Sequence, residues 1–203
     1  MDLPSLDNLA YPAGDDGDHP GGGHCASLGG GTREENRLAM VDQYGTALRV
    51  LVDAAEASGD GWGLSRPILF AVHQLCENAL DLANDRARVT VSRSGKHRHS
   101  LAVKMAGAVA GRVYDYLTPD ERRWCERFVE QTVPLTGNGF PGRFADGTVS
   151  GRSQLDDIWC CINPAALRDA ALMFAGLTLL SSSELEESAV QLQSPANPAS
   201  AAT

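Results

Sequence analysis

The sequence predicts an all-α fold: an up-and-down bundle of about five helices with disordered tails. Apolar residues recur at intervals of three and four across most of residues 33–182, the spacing that places them on one face of a helix. Two clear helix starts support this pattern. Thr118-Pro119-Asp120-Glu121 combines a capping threonine, a proline in the first turn and a glutamate that completes a capping box, and Asn163-Pro164 opens the last helix.

These signals place the helices along the chain. The first is predicted over residues 33–57, and the second has Pro67 in its first turn. The third, from residue 99 or 100 to 117, is apolar almost all round, so we expect it to be the central helix. The last should end near Leu180. The fourth should run to about Val133, with four buried side chains: Trp124, Cys125, Phe128 and Val129.

The second helix divides into two faces at helical spacing. Its predicted inner face consists of Ile68, Val72, Leu75, Cys76, Ala79 and Ala83. The opposite face is predicted to consist of Phe70, His73, Glu77 and Asp81. An aromatic side chain on an exposed face is typical of a partner surface, so we expect this face to form an interface.

Composition predicts one domain between two tails. Residues 1–32 are rich in Gly and Asp, and residues 183–203 are rich in Ser, Ala and Pro. Such segments bury too little apolar surface to offset the entropy of ordering them, so both are predicted to be disordered. The helical bundle is assigned to residues 33–182.

Charge and hydropathy exclude several classes of protein. A net charge of −9 argues against a broadly cationic nucleic-acid or membrane binder. The apolar run at 170–180 is shorter than the ~20 residues that span a bilayer, and the N-terminus does not have the pattern of a secretory signal. Five cysteines without regular spacing do not indicate a disulfide framework. We therefore expect a cytoplasmic protein without a membrane partner.

Most motifs of known enzymes are missing from the sequence. It contains no Gly-x-Ser-x-Gly, phosphate loop, His-Glu-x-x-His or paired Cys-x-x-Cys. His73 and Cys76 with Cys160 and Cys161 offer ligand types that zinc uses. However, His73 and Cys76 are predicted on opposite faces of one helix, and adjacent cysteines rarely bind one ion. Neither a metal nor a cofactor is predicted, and core cysteines explain the pattern better.

A basic segment is the most informative feature. Six basic residues and no acidic ones lie between Arg86 and Lys104. Within the segment, the residues Arg93, Lys96, His97, Arg98 and His99 lead into the third predicted helix. The amides and partial positive charge of a helix N-terminus suit phosphate, and a histidine can exchange a proton with a ribose hydroxyl. A solvated loop that merely offsets nearby acids would have the same composition.

Three short segments carry a resemblance to a known family. Gln74–Leu80 contains a Glu within an alternating Leu/Ala run, His99-Ser100-Leu101 opens the next long helix, and the loop Gly142–Gly147 precedes Asn163 and an apolar helix. Together they resemble the HEPN superfamily, small helical bundles found in toxin–antitoxin and phage-defence proteins. The resemblance covers residues 34–180.

The resemblance implies a site and a function. Catalytic members of the superfamily have an Arg, four to six residues and then a His, and five residues separate Arg93 from His99. It therefore implies a metal-independent ribonuclease in which Arg93 stabilises the phosphate and His99 is the general acid or base. RNA or a nucleotide would contact Lys96, His97 and Arg98, and two chains would form a homodimer. The alternative is a non-enzymatic interaction module that binds a protein partner, such as an antitoxin or an accessory subunit of a defence complex.

Overall fold

The structure is a computed structural model that describes residues 31–59, 63–91, 98–136 and 162–193. In this part of the chain the secondary structure is helical and contains no strand, which confirms the predicted all-α bundle. The elements are α1 (Arg33–Ser58), α2 (Ser65–Arg86), α3 (Leu101–Ala110), a 3-10 helix (Val113–Tyr116), α4 (Pro119–Thr136) and α5 (Pro164–Gln193).

Helix α1 is delimited by local hydrogen bonds at both ends. The Thr32 hydroxyl accepts from the Glu35 amide at 3.2 Å, while the Glu35 carboxylate accepts from the Thr32 amide at 2.7 Å. This capping box satisfies two amides that the first turn leaves without helical partners. At the other end Gly59 adopts a left-handed conformation with φ of 65° and donates to the Glu56 carbonyl. The predicted bounds of this helix are therefore confirmed to within one residue.

Helix α2 is the centre of the bundle, and the expectation that α3 is central is wrong. Fourteen of the 22 residues of α2 are buried, including polar ones, compared with four of the ten residues of α3. Helix α2 packs against α1, α3, α4 and α5. Its fully buried apolar side chains lie on the predicted inner face and beyond it: Ile68, Val72, Leu75, Cys76, Ala79, Leu80, Leu82 and Ala83.

Helix α3 is shorter than predicted because the residue after Gly111, Arg112, adopts a left-handed backbone conformation. Arg112 has a left-handed φ of 62°, which ends the helix before the following 3-10 turn. Gly107 lies so close to α2 that a Cβ there would be 2.8 Å from Asn84 Oδ1 and 2.6 Å from Val91 Cγ2. The Asn84 side chain in turn donates a hydrogen bond of 2.9 Å to the Lys104 carbonyl. This close approach fixes α3 against α2.

The start of helix α4 agrees with the sequence, and of its four residues predicted to be buried, Cys125, Phe128 and Val129 are buried, whereas Trp124 is not. The capping box between Thr118 and Glu121 is confirmed by hydrogen bonds at 3.3 Å and 2.8 Å. The helix continues past Pro134 to Thr136. Trp124, predicted to be buried, is 37% exposed and stacks on Phe128 with ring centroids 5.7 Å apart. It covers the edge of the core and does not fill it.

Helix α5 extends beyond the predicted end at Leu180 and beyond the predicted domain boundary at residue 182. Its start is capped as predicted, since Asn163 accepts from the Ala166 amide at 3.1 Å. Ser182 is fully buried, and Arg86 of α2 donates to the Ser183 hydroxyl at 2.7 Å. These polar contacts hold a serine-rich stretch whose composition alone is typical of a tail.

The apolar part of α5 packs one face on the core and exposes the other. Phe174 and Ala171 are fully buried, whereas Met173 and Leu180 are 56% and 58% exposed. By length and composition alone, Pro164–Glu184 would be enough to cross a membrane, and 33% of that stretch is buried inside the protein. A helix that packs one face on a protein core meets the same two criteria.

The buried position of Ala108 gives a test of the α3 assignment. Ala108 is fully buried, so Ala108→Asp should lower the free energy of unfolding by about 3 kcal/mol or more, because it buries an unpaired carboxylate. Urea unfolding would measure the change. Ala106→Asp is the matched control, since Ala106 is exposed on the same helix. Equal stability of the two variants would contradict the packing described here.

Candidate functional site

A ladder of ionisable side chains runs along α2 at intervals of four residues. It consists of His73, Glu77, Asp81 and Asp85. The prediction that the first three of these residues face outward is wrong for His73, which is 0% exposed, and for Glu77, which is 6% exposed. The ladder faces charged residues of α1 and α3. Phe70 is half-buried and contacts Tyr44 of α1 edge to face, with ring centroids 6.3 Å apart.

Four polar side chains surround the Glu77 carboxylate. On Oε1, His99 Nδ1 lies at 2.9 Å and Lys104 Nζ at 3.3 Å. On Oε2, Gln74 Nε2 lies at 3.3 Å and His73 Nε2 at 3.6 Å. The carboxylate thus joins α2, α3 and the turn that precedes α3.

These neighbours determine the charge of Glu77. Burial by itself would raise the pKa of this carboxyl, because a charge is poorly solvated inside a protein. The interaction with His73, the positive charge of Lys104 and the hydrogen bond to His99 outweigh burial and lower the pKa of Glu77 to about 2. Glu77 is therefore a carboxylate at neutral pH.

The imidazole of His73 is buried without a hydrogen bond. Among the described residues neither of its ring nitrogens has a hydrogen-bond partner. Its Nε2 is 3.6 Å from Glu77 Oε2, which is longer than a hydrogen bond, so the contact is electrostatic. Leaving such a group unsatisfied typically costs about 1–3 kcal/mol.

The ladder continues from Glu77 to α1 through alternating charges. Lys104 Nζ also lies 2.5 Å from an Asp81 oxygen, whose other oxygen is 2.8 Å from Arg37 Nη1. Arg37 Nε in turn lies 3.0 Å from Asp85. Only 4% of Lys104 is exposed, so this residue, counted in the basic segment, does not belong to a cationic surface.

Fewer residues of the basic segment are available as surface positive charges than its composition indicates. Arg86 is bound to Glu34 at 2.8 Å, so its charge is paired rather than free on a cationic surface. Arg88 and Arg98 are exposed, and the described residues form no ion pair with either. Arg88 lines a shallow depression of about 350 Å³ with Asp85, Val89 and Thr90, two turns of α2 away from Glu77.

The structure describes two of the five predicted site residues. His99 lies in the turn before α3 with 30% of its side chain exposed, and Arg98 is exposed beside it in sequence. Ser100 follows and caps α3 by accepting from the Val103 amide. The other three predicted residues, Arg93, Lys96 and His97, lie outside the described residues. The predicted approach of Arg93 to His99 therefore stays a prediction.

Sequence reasoning did not assign two side chains to the site. These are Glu77, which lies next to His99, and Lys104, which lies next to Glu77. Glu77 was assigned to an outward face, and Lys104 was only counted among the basic residues of the segment. The spacing of four along α2 was visible in the sequence, as was a lysine within the apolar α3. A lysine on a helix that is otherwise apolar indicates a buried ion pair, because an isolated buried ammonium is too costly.

The described residues contain no cluster of three or more histidine, cysteine or acidic side chains suited to a metal ion. Of the ligands considered from the sequence, Cys76 is fully buried in the core, and burial raises its pKa above the usual range of a thiol. Cys160 and Cys161 lie outside the described residues.

Comparison of the chain with protein-family models, with curated proteins and with solved structures gives no significant match.

The lowered pKa of Glu77 predicts a specific dependence of stability on pH. Its ionisation contributes stability that is fully present above pH 4.5, the ordinary value, and is lost as the pH falls toward about 2. The lowering corresponds to about 3 kcal/mol. Glu77→Gln should therefore unfold with a shallower pH dependence between these two values. Urea unfolding at several pH values would measure it, with exposed Glu130→Gln as the control. Parallel profiles for wild type and Glu77→Gln would contradict the assignment.

Proposed function

We propose that this chain is a HEPN-like domain that contacts RNA through His99 and the basic residues preceding it. The observation that carries the proposal is the partly exposed His99 at the start of α3, whose Nδ1 lies 2.9 Å from a buried carboxylate. A histidine held in this way presents its other ring nitrogen in a fixed direction, as a general acid or base requires.

The surroundings of His99 favour an anionic ligand. Arg98 is exposed and offers a fixed positive charge. The capped N-terminus of α3 adds the partial positive charge of a helix start. A phosphodiester combines a negative charge with a neighbouring ribose hydroxyl, so both features match one ligand.

Cleavage by this site needs no metal. In the proposed reaction His99 removes the proton of the 2′-hydroxyl, whose oxygen then attacks the adjacent phosphorus. The bond to the 5′-oxygen breaks as the 2′,3′-cyclic phosphate forms, that oxygen takes its proton from water, and His99 returns the proton it removed to solvent. By resemblance, Arg93 would stabilise the charge on the phosphate, and Lys96 and His97 would contact the RNA. A cytoplasmic toxin or defence system and a homodimer are part of the same proposal.

A second function is favoured by a different surface. Met173 and Leu180, seven residues apart on α5, are each more than half exposed. Exposed apolar side chains that recur on one helix face are found at protein interfaces. They support the alternative of a non-enzymatic interaction module, such as an antitoxin or an accessory subunit that binds a protein partner.

Binding of the full chain to a labelled single-stranded RNA at several salt concentrations separates the two functions. Arg98→Ala should weaken binding and reduce the slope of log affinity against log salt by about 1, because one phosphate contact releases its counterion. Arg123→Ala is the matched control, since Arg123 is an exposed arginine on α4. Undetectable RNA binding at low salt would favour the interaction module.

A cleavage assay tests the role of His99. His99→Asn should abolish cleavage while RNA binding and the urea-unfolding midpoint stay close to those of the wild type. EDTA should have no effect, and an RNA with 2′-O-methyl groups should bind without being cut. Cleavage that survives His99→Asn, or that proceeds on the methylated RNA, would contradict the mechanism.

A further inference from the structure

We infer that Glu77 is a positioning residue that holds His99 as the Nδ1–H tautomer and turns Nε2 away from the protein's carboxylate. The inference deepens the function proposed above, since it assigns the residue that would prepare His99 for proton transfer. The sequence places Glu77 22 residues before His99, and the fold brings them to 2.9 Å.

The direction of the hydrogen bond follows from the charge of the acceptor. An ionised carboxylate has no proton to donate and can only accept. Because Glu77 is ionised at neutral pH, the proton between the two groups belongs to His99 Nδ1. In a neutral imidazole the other nitrogen, Nε2, then carries the lone pair.

Two further side chains also hold the carboxylate, which limits its rotation. Lys104 Nζ shares Oε1 with His99, and Gln74 Nε2 donates to Oε2 at 3.3 Å. Glu77 is only 6% exposed, so water does not compete freely for its oxygens. Since Lys104 is itself held at 2.5 Å by Asp81, the position of Oε1 is set by both α2 and α3.

The same contact would stabilise the charged form of His99 during proton transfer. When Nε2 takes up the proton of a ribose hydroxyl, the ring becomes positive while Nδ1–H stays bonded to the carboxylate. The negative charge of Glu77 then faces the positive charge that forms. In Ser-His-Asp triads, where a carboxylate holds a histidine in the same way, an amide in its place allows the opposite tautomer, and the rate falls by about 10⁴.

The experiment is an NMR measurement of ring tautomers on the full chain labelled with ¹⁵N. Long-range proton–nitrogen spectra, recorded on the neutral imidazole in mildly alkaline buffer, distinguish Nδ1–H from Nε2–H. Loss of signals in His99→Asn assigns His99 among the five histidines. We expect Nδ1–H in the wild type and in the control Glu130→Gln.

Glu77→Gln should shift the tautomer ratio of His99 toward Nε2–H by about tenfold, since the charge-assisted hydrogen bond to the carboxylate is lost. A ratio unchanged in this variant would overturn the inference. Should Glu77→Gln fail to fold, the wild type alone decides, because Nε2–H there contradicts the inference.

RNA assays of the same proteins separate this inference from the proposed function. Nδ1–H in the wild type together with no RNA binding or cleavage leaves Glu77 as the positioning residue and removes the RNA function. RNA cleavage by a wild type whose His99 carries its proton on Nε2 would support the RNA function and contradict the positioning role of Glu77. Where both hold, Glu77→Gln should lower the cleavage rate by about 10²–10⁴ with RNA affinity unchanged.

Discussion

The arrangement of this bundle depends on one buried negative charge. Removing a carboxylate from water is costly unless positive groups and hydrogen-bond donors replace its hydration. Glu77 obtains these groups from three places: α2 itself, Lys104 on α3, and His99 in the turn before α3. The charge can be buried only when those elements are assembled, so it couples the position of α3 to that of α2. The turn that carries His99 is fixed by the same requirement.

The rest of the helical assembly extends this constraint outward. Asp81 and Asp85 form ion pairs with Arg37 of α1. Arg86 pairs with Glu34 of α1 and also donates to Ser183 of α5. These pairs become more exposed toward the end of α2, and exposed pairs contribute little to stability. Their value is therefore mainly in specifying which helix faces meet, while apolar packing around α2 supplies most of the stabilisation.

The sequence predicted the parts of the fold that local chemistry decides. The capping box at Thr118 and the cap at Asn163 involve neighbours in the chain, so they could be read directly. The assignment of faces on α2 failed because helical periodicity treats every polar residue as outward. Charged side chains on neighbouring elements that complement each other, such as Glu77 with Lys104 and His99, can face inward, and only the three-dimensional pairing reveals this. The same reasoning explains why the end of α5 was predicted to be a tail. Its contact is a hydrogen bond between Arg86 and Ser183, which lie 97 residues apart in the chain. At the candidate site, His99 could be proposed from its position beside basic residues, whereas its contact with Glu77 could not, because the two residues lie 22 positions apart on different elements.

The distribution of unsatisfied polar groups supports a functional interpretation of the Glu77 cluster. Buried polar atoms are nearly always hydrogen-bonded, so exceptions ask for an explanation. In the part of the chain that the structure describes, the exceptions are both ring nitrogens of His73 and Oδ1 of Asn84. Both residues lie on α2. His73 contacts Glu77 directly. Asn84 donates to the backbone carbonyl of Lys104, whose side chain contacts Glu77. A core chosen for stability alone would replace His73 by an apolar residue of similar size. Retaining an imidazole there is understandable when the charge and orientation of Glu77 matter to His99, since proteins depart from local packing rules mainly at functional sites.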